Sequence, residues 1–157
     1  MKFQKLGSGM KKIFIILMLT ILIQNIMASE RFVQVKRKPC VVDNKTNLMW
    51  SKSPLPGKYT WYSAVATIKQ SHLCGYNNWR LPSKEEIYDL QKQSGYYAPF
   101  AWLNDNGFEN VQTEFYWANE THIKDKDSAW GFYMYSGRVY YEPKTNKNYA
   151  WQVREVN

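Results

Sequence analysis

The segment that most constrains the fold runs from Gly75 to Glu86 and reads Gly-Tyr-Asn-Asn-Trp-Arg-Leu-Pro-Ser-Lys-Glu-Glu. Its glycine and asparagines are typical of a turn, and Pro82 disfavours continuation of a helix or a central strand. Ser83 and Glu86 have the spacing of a capping box, which predicts that a helix begins here. So many local constraints in a short segment predict a rigid corner rather than a variable loop.

The first 28 residues are predicted to be a secretory signal peptide. Lys11 and Lys12 precede an apolar run over residues 13–23, and Ala28 and Ser29 suit cleavage. Met10 is an alternative start. An uncleaved membrane anchor is the alternative interpretation, but the run is shorter than the about 20 residues of a spanning helix. No cysteine comes directly after the run, which disfavours a lipid-anchored precursor. We therefore expect an exported protein, periplasmic or extracellular, with no membrane span after cleavage.

The charge of the chain changes when the signal peptide is removed. The full chain has a formal net charge of +8, from 21 basic and 13 acidic residues. The signal peptide takes four lysines with it and no acidic residue, which leaves +4. A charge of this size on an exported protein indicates anionic surfaces only weakly, and we expect no nucleic-acid partner. Residues 30–157 are expected to form a single domain.

Two cysteines, Cys40 and Cys74, remain in the exported part. In an oxidising compartment such a pair is expected to form a disulfide, which would close a loop of about 34 residues and stabilise the fold by about 3–4 kcal/mol. Two buried free thiols are the alternative, because the spacing alone does not show that the two Cα atoms approach each other.

The first half of the exported part is predicted to contain short strands and two helices. Apolar residues indicate strands at residues 32–38, 40–42 and 48–50, the first at a sheet edge because it ends at Pro39. Thr60 is expected to cap a helix that Gly75 ends, with a second helix over residues 84–93. The apolar positions of the first helix are Trp61, Ala64, Val65 and Ile68. Residues 94–113 are expected to be irregular, with Pro99 in a turn.

The second half is predicted to be rich in strands. They are expected at residues 115–118, 129–135, 138–142 and 149–156, and Ser136-Gly137 would join the middle pair as a two-residue hairpin. Trp151 and Val153 would share one face of the last strand, and Gln152 and Arg154 the other. Two helices early and a twisted antiparallel meander late predict an α+β fold.

Several segments together carry a family pattern. They are Asn44–Trp50, Thr60–Ala64, Gly75–Ile87, Tyr116–Ala118, Ala129–Phe132 with Ser136-Gly137, and Val153-Arg154. In residues and order they resemble the C-terminal domain of the Legionella collagen-like adhesin, a family of secreted bacterial domains, over about residues 41–156. The signature residues are Trp50, Trp61, Trp79, Arg80, Leu81, Pro82 and Trp117. The segment around Trp79 is the specific one.

The resemblance implies a C-type-lectin-like fold related to formylglycine-generating enzymes, and binding of sulfated glycosaminoglycans. The chain lacks the collagen-like repeats that trimerise the adhesin, so avidity from a trimer is not implied here. It also has Trp151-Gln152-Val153-Arg154 where relatives are expected to carry a cysteine near the final arginine. Cys40 is therefore the only intrachain partner left for Cys74.

Candidate ligand-binding residues are cations and aromatic side chains. The cations are Lys36, Arg37 and Lys38, then Lys124, Lys126, Lys144 and Lys147 on predicted loops. They suit sulfate or phosphate groups, although lysines are also common as protection of edge strands. Tyr133 and Tyr135 would share one face of the late hairpin and suit stacking on sugar rings, with Trp130, Phe132 and Met134 on the other. Stripes of aromatic residues more often belong to the hydrophobic core than to a ligand-binding surface. Trp79 and Arg80 also suit sulfated sugars, but on a rigid corner an architectural role is favoured.

The residues for catalysis or metal binding are not recognisable. His72 and His122 are the only histidines and lack metal-ligand spacing, and no nucleophile elbow, phosphate loop or dinucleotide fingerprint occurs. Glu142-Pro143-Lys144 replaces the Glu-Pro-Asn of calcium-dependent lectins, which disfavours a calcium site. The cysteine pair keeps a copper oxidase as a third interpretation.

The leading prediction is a secreted, non-enzymatic adhesion domain without cofactor or metal, which binds a polyanionic glycan or another surface component. The alternative is a structural or assembly subunit of a bacterial envelope complex that binds a protein partner through its aromatic surface.

Overall fold

The computed structural model describes residues 9, 12–20, 30–95 and 98–156. The chain divides into two units, Met1–Arg31 and Phe32–Asn157. In the first unit, residues 12–20 are helical, and the apolar side chains of residues 13–19 are exposed. In the described part of the chain, no helix has both the length and the apolar character needed to cross a membrane. The expected cleavage site lies outside the described residues, so the signal peptide stays a prediction.

The second unit is built around two antiparallel sheets. The first has four strands: β1 (Phe32–Gln34), β2 (Cys40–Asp43), β3 (Leu48–Ser51) and β7 (Val153–Glu155), in the order β1-β2-β3-β7. The second is a three-stranded meander: β4 (Phe115–Thr121), β5 (Ser128–Tyr133) and β6 (Arg138–Pro143). A parallel bridge between Tyr116 and Tyr149 connects β4 to the segment that leads into β7.

Helices flank these sheets in the middle of the chain. They are α1 (Trp61–Lys69), α2 (Lys84–Gln91) and α3 (Pro99–Asp105), and 3-10 turns lie at Leu73–Gly75 and Lys92–Ser94. The Thr60 side chain caps α1 by accepting a hydrogen bond from the backbone N–H of Ser63. The predicted capping box of α2 is present in both directions between Ser83 and Glu86. These elements confirm the predicted α+β class; the finer C-type-lectin-like assignment stays a prediction.

Strand β4 has apolar side chains buried on both faces. Phe115 and Trp117 belong to one hydrophobic core, whereas Tyr116 and Ala118 belong to the other, and all four are at most 1% exposed. Successive side chains of a strand point to opposite faces, so β4 lies between the two cores. This explains why Phe-Tyr-Trp-Ala is a continuous apolar run instead of an alternating one.

Tryptophan side chains form much of the core that contains Tyr116 and Ala118, which we call the first core. Trp50 of β3 and Trp151 meet edge to face with ring centroids 5.6 Å apart, and Phe108 contacts Trp151 at 5.2 Å. Both tryptophans are essentially buried. Edge-to-face packing is the favoured geometry for such rings, and it adds to the stabilisation from buried area. Because the unit Phe32–Asn157 contains both cores, it can be studied by itself.

The prediction that residues 94–113 are irregular is wrong, because α3 lies within them. Pro99 is the first residue of this helix, where its missing N–H removes no hydrogen bond. The sequence analysis interprets Pro99 as a turn residue, but proline is equally compatible with the first position of a helix. The preceding Ala98 has a left-handed backbone (φ 51°), which the alanine side chain does not favour.

Several predicted boundaries also differ. Helix α1 ends at Lys69 rather than near Gly75, and Val65, assigned to its apolar face, is 36% exposed. Strand β1 ends at Gln34, and residues 134–137 join β5 to β6 in place of a two-residue turn. The last strand covers only Val153–Glu155 and pairs with β3. Trp151, Gln152, Val153 and Arg154 are all buried, so both faces of this segment are covered.

Candidate functional site

The predicted rigid corner buries the tryptophan of the signature. Trp79 is only 4% exposed, and its Nε1 donates to the carbonyl oxygens of Leu73 and Tyr76, each at 3.1 Å. Leu81 and Pro82 are buried beside it. The indole N–H therefore closes the loop that precedes the corner, which leaves little of Trp79 for a ligand.

Arg80 connects the corner to two elements, α2 and β7. Its backbone pairs with Val153 of β7 in both directions, at 3.0 and 2.9 Å. Its guanidinium makes a two-pronged ion pair with Glu86 of α2, both bonds being 2.8 Å long, and a further one with Glu155. The hydrogen bond from Arg80 lowers the pKa of the Glu155 carboxyl, and the bond to Glu86 raises the pKa of Arg80. This geometry makes Arg80 an architectural residue.

Replacement of Arg80 tests this role. We expect Arg80→Ala to lower the free energy of unfolding by about 2 kcal/mol, because Glu86 and Glu155 both lose a charged donor. Glu155 ordinarily titrates near 4.5, and its pKa is lowered in the fold. The contribution of the Arg80–Glu155 ion pair to stability is therefore present above about pH 4.5 and is lost as the pH falls through the lowered pKa. The difference in free energy of unfolding between Arg80→Ala and wild type should therefore become smaller in acid. Urea unfolding at several pH values measures this, with the exposed Lys69→Ala as the control that should change little.

Cys40 of β2 and Cys74 form a disulfide with their Cα atoms 6.6 Å apart, which confirms the predicted bond. Cys40 is buried, whereas Cys74 lies in a 3-10 turn with a left-handed backbone (φ 56°). The Lys38 ammonium donates to the carbonyl oxygen of Cys74 at 2.9 Å. The turn between β1 and β2 is thus anchored to the segment that leads into the corner.

Three of the predicted cations lie together at that turn. Lys36, Arg37 and Lys38 are exposed and line a depression of about 440 Å³. Lys52 also lines it, and its ammonium is 2.6 Å from the Glu109 carboxylate. Hydrogen bonds from Lys38 N–H to Val35 and from Val35 N–H to Cys40 hold the turn, at 3.0 and 2.9 Å. The predicted basic cluster is therefore held on an ordered support.

The later cations do not form a second cluster of free charges. Lys124, Lys126 and Lys147 are exposed, but Lys144 is only 6% exposed. The Lys144 ammonium donates to the Lys126 carbonyl oxygen at 2.8 Å and lies 4.6 Å from the ring centre of Trp61. The placement of Lys144 on a ligand-contacting loop is therefore corrected: its charge is used inside the fold, in a cation–π contact.

The two candidate tyrosines have different environments. Tyr133 is half-buried, its hydroxyl donates to the Glu142 carboxylate at 3.1 Å, and its ring packs on Phe115. Tyr135 is 68% exposed in the connection after β5. Of the pair, Tyr135 alone presents most of its ring to solvent.

The structure also shows surfaces that the sequence analysis missed. A groove of about 490 Å³ is lined by Pro54, Leu55, Pro56, Tyr149 and neighbouring polar residues. The sequence Ser53-Pro54-Leu55-Pro56-Gly57 is typical of a loop, which by itself does not predict a groove. An aromatic cluster at the end of β4 stacks His122 on Tyr141 at 4.0 Å between ring centres, with Trp130 4.9 Å from His122. It joins residues distant in sequence, which periodicity does not predict.

Within the described ranges, no three His, Cys, Asp or Glu side chains lie close enough together to hold a metal ion.

These observations define the class of the molecule: a small α+β domain, cross-linked by one disulfide, with a rigid Trp-Arg-Leu-Pro corner and an exposed basic turn. The chain belongs to the family of the Lcl C-terminal domain, whose model matches residues 39–154. The match includes both cysteines, the corner and both sheets except β1 and the last residue of β7, and it confirms the family resemblance. A search of curated proteins found no significant match.

Proposed function

We propose that this chain is an exported, non-enzymatic recognition domain that binds a polyanionic glycan through the basic turn between β1 and β2. The observation that carries the proposal is the depression of about 440 Å³ that Lys36, Arg37, Lys38 and Lys52 line together. Lys36, Arg37 and Lys38 are exposed, and Lys52 is ion-paired with Glu109 at the edge of the same depression. Three exposed cations around one surface suit several sulfates or carboxylates of one chain at once.

The support for this turn favours recognition over simple protection of the edge strand. Arg37 has a left-handed backbone (φ 60°), which is uncommon for a residue with a side chain. The Cys40–Cys74 bond and the Lys38 hydrogen bond to the Cys74 carbonyl restrict this turn. A turn whose backbone is restricted in this way loses less conformational entropy on binding than a flexible turn would.

The salt dependence of heparin binding tests the proposal. We expect the mature chain to be retained on a heparin column at low salt and to elute as salt rises, because exposed charges are screened. The double variant Lys36→Glu, Arg37→Glu should bind at least tenfold more weakly at low salt, since both residues change from attraction to repulsion.

The matched control reverses charge elsewhere. Lys124→Glu, Lys147→Glu changes the net charge by the same amount on exposed loops that do not line the depression. If this control weakens binding as much as the turn variant, the interaction follows net charge and the proposed site is refuted. Elution of the wild type in the void volume at low salt would refute the proposal that the chain binds a polyanion.

The second candidate function is an assembly subunit that binds an envelope protein. The observation that favours it is the exposed aromatic surface of β6, where Tyr140 is 44% and Tyr141 51% exposed. Crosslinking in the native envelope followed by mass spectrometry distinguishes the two functions, because a stoichiometric protein partner supports the assembly role.

The third candidate, a copper oxidase, needs two cysteine sulfur atoms as ligands. The bond between Cys40 and Cys74 weighs against it, since neither sulfur is a thiolate in that form. Thiol titration tests this point. No reactive thiol before reduction and two after it would remove the oxidase, whereas two thiols in the native chain would revive it.

A further inference from the structure

We propose that β6 is a self-pairing edge through which two copies of this chain associate antiparallel and join their three-stranded sheets into one. The inference does not depend on glycan binding. In the part of the chain that the structure describes, β6 pairs with β5 only, so its other edge is open. Every second residue of an edge strand directs its N–H and C=O outward, where another strand can pair with them.

The edge of β6 has little of the protection that is usual for such strands, because its charged residues, Arg138 and Glu142, and its proline lie towards its two ends. It has six residues, contains no lysine, and has its only proline at the last position, Pro143. In contrast, β1, an edge strand of the four-stranded sheet, has three residues and is followed closely by Lys36, Arg37 and Lys38. Short length and neighbouring lysines discourage pairing, whereas β6 is long, apolar in the middle and exposed.

The charges of β6 are complementary to a second, antiparallel copy of the same strand. Arg138 at one end is exposed and forms no ion pair within the described residues. The Glu142 carboxylate near the other end accepts hydrogen bonds from neutral groups, namely Tyr133, Asn146 and Asn148, at 2.9–3.1 Å. Within the described residues, neither Arg138 nor Glu142 is paired with an opposite charge. In a two-fold arrangement of two antiparallel β6 strands, the arginine of each copy can lie beside the glutamate of the other.

These charges specify the register of the pair. Arg138 faces Glu142 of the second copy when Tyr140 is the residue on the two-fold axis. Val139 then lies opposite Tyr141 of the other copy, which is a favourable pairing of a β-branched and an aromatic side chain. Val139 is 36% and Tyr141 51% exposed, so both have surface to bury on association.

Sedimentation velocity of the chain from residue 30 onward tests the association. We expect a monomer–dimer equilibrium over micromolar to hundreds of micromolar concentrations. Arg138→Glu should weaken it about tenfold or more, because two ion pairs become two like-charge contacts. The exposed Lys69→Glu on α1 changes the charge equally and should leave the equilibrium unchanged. A monomer at every concentration, or a dimer that Arg138→Glu leaves intact, overturns the proposal.

Engineered cysteines test the register itself. With Tyr140 on the axis, its Cα lies about 4.5–5.5 Å from that of the second copy, within disulfide range, so Tyr140→Cys should crosslink rapidly on oxidation. Arg138→Cys is the control: two copies of position 138 are four residues apart along the strand, or about 13 Å. Equal crosslinking of both variants on a non-reducing gel contradicts this register, and unchanged thermal unfolding shows that each variant is folded.

Discussion

Gly131→Ala is expected to destabilise this domain by about 3 kcal/mol or more, although it adds a single methyl group. Gly131 lies in the middle strand of the meander, opposite Trp117 on β4 and Tyr140 on β6. A Cβ at this position would overlap the Phe115 ring and the carbonyl oxygen of Tyr116. The carbonyl belongs to a paired strand and has little freedom to move, so the strands themselves would have to separate.

The Phe115 ring also has little freedom to give way. It is 1% exposed and packs edge to face against Trp117 at 5.3 Å and Tyr133 at 5.2 Å. A shift of the ring would therefore disturb the second core, which contains Phe115 and Trp117 and against which Tyr133 packs. Because interiors are close-packed, one displaced ring transmits strain to its neighbours.

Urea unfolding followed by circular dichroism measures this effect, with Gly57→Ala as the contrast. Gly57 has a left-handed backbone (φ 85°) and nothing within 4 Å of an added Cβ. Its replacement should cost about 1 kcal/mol from backbone strain alone. If Gly131→Ala lowers the free energy of unfolding no more than Gly57→Ala does, the close approach of β4 and β5 at Gly131 is refuted.

Removal of the disulfide is expected to have the second large effect. Cys40 and Cys74 are 34 residues apart, and in the chain-entropy model opening such a loop costs about 3–4 kcal/mol. The double variant Cys40→Ala, Cys74→Ala should lose this amount in free energy of unfolding. Alanine at position 40 is preferred to serine, because the site is fully buried and a hydroxyl would lack a partner.

A reductant gives an independent measurement of the same contribution. Wild type in dithiothreitol should unfold at the lower denaturant concentration of the double variant, whereas the variant should not respond to the reductant. Closely similar unfolding of oxidised and reduced wild type would show that the bond contributes little. The Lys38 hydrogen bond to Cys74 and the Trp79 bonds to Leu73 and Tyr76 do not involve the sulfur atoms, so we expect the corner itself to persist in the reduced chain.

The parts of the fold that could be predicted are those governed by neighbouring residues. The caps at Thr60 and Ser83 depend on a side chain and a backbone N–H three residues away, and both are present. The corner at Trp79 to Pro82 is similar, since its turn residues and proline act within a few positions. In α3, proline is compatible both with a turn and with a first helical turn, so the local signal did not decide between them.

Candidate site residues were predicted by type and only partly by position. Lys36, Arg37 and Lys38 are consecutive, so their proximity followed from the chain. Lys52 lies beside them because β2 pairs with β3. Lys144 is not available at the predicted surface, because its ammonium packs on the Trp61 ring of α1, which is distant in sequence. Neither fact has a signal in local composition.

By itself, the sequence determined the helix caps, the rigid corner, the α+β class and the family, because these depend on residue types at short spacings. Tertiary structure alone decided which cations face solvent, where the last strand pairs, and that β6 has one open edge among the residues that the structure describes. These depend on contacts between residues distant along the chain, where packing of the two cores, rather than local preference, determines which side chains are buried.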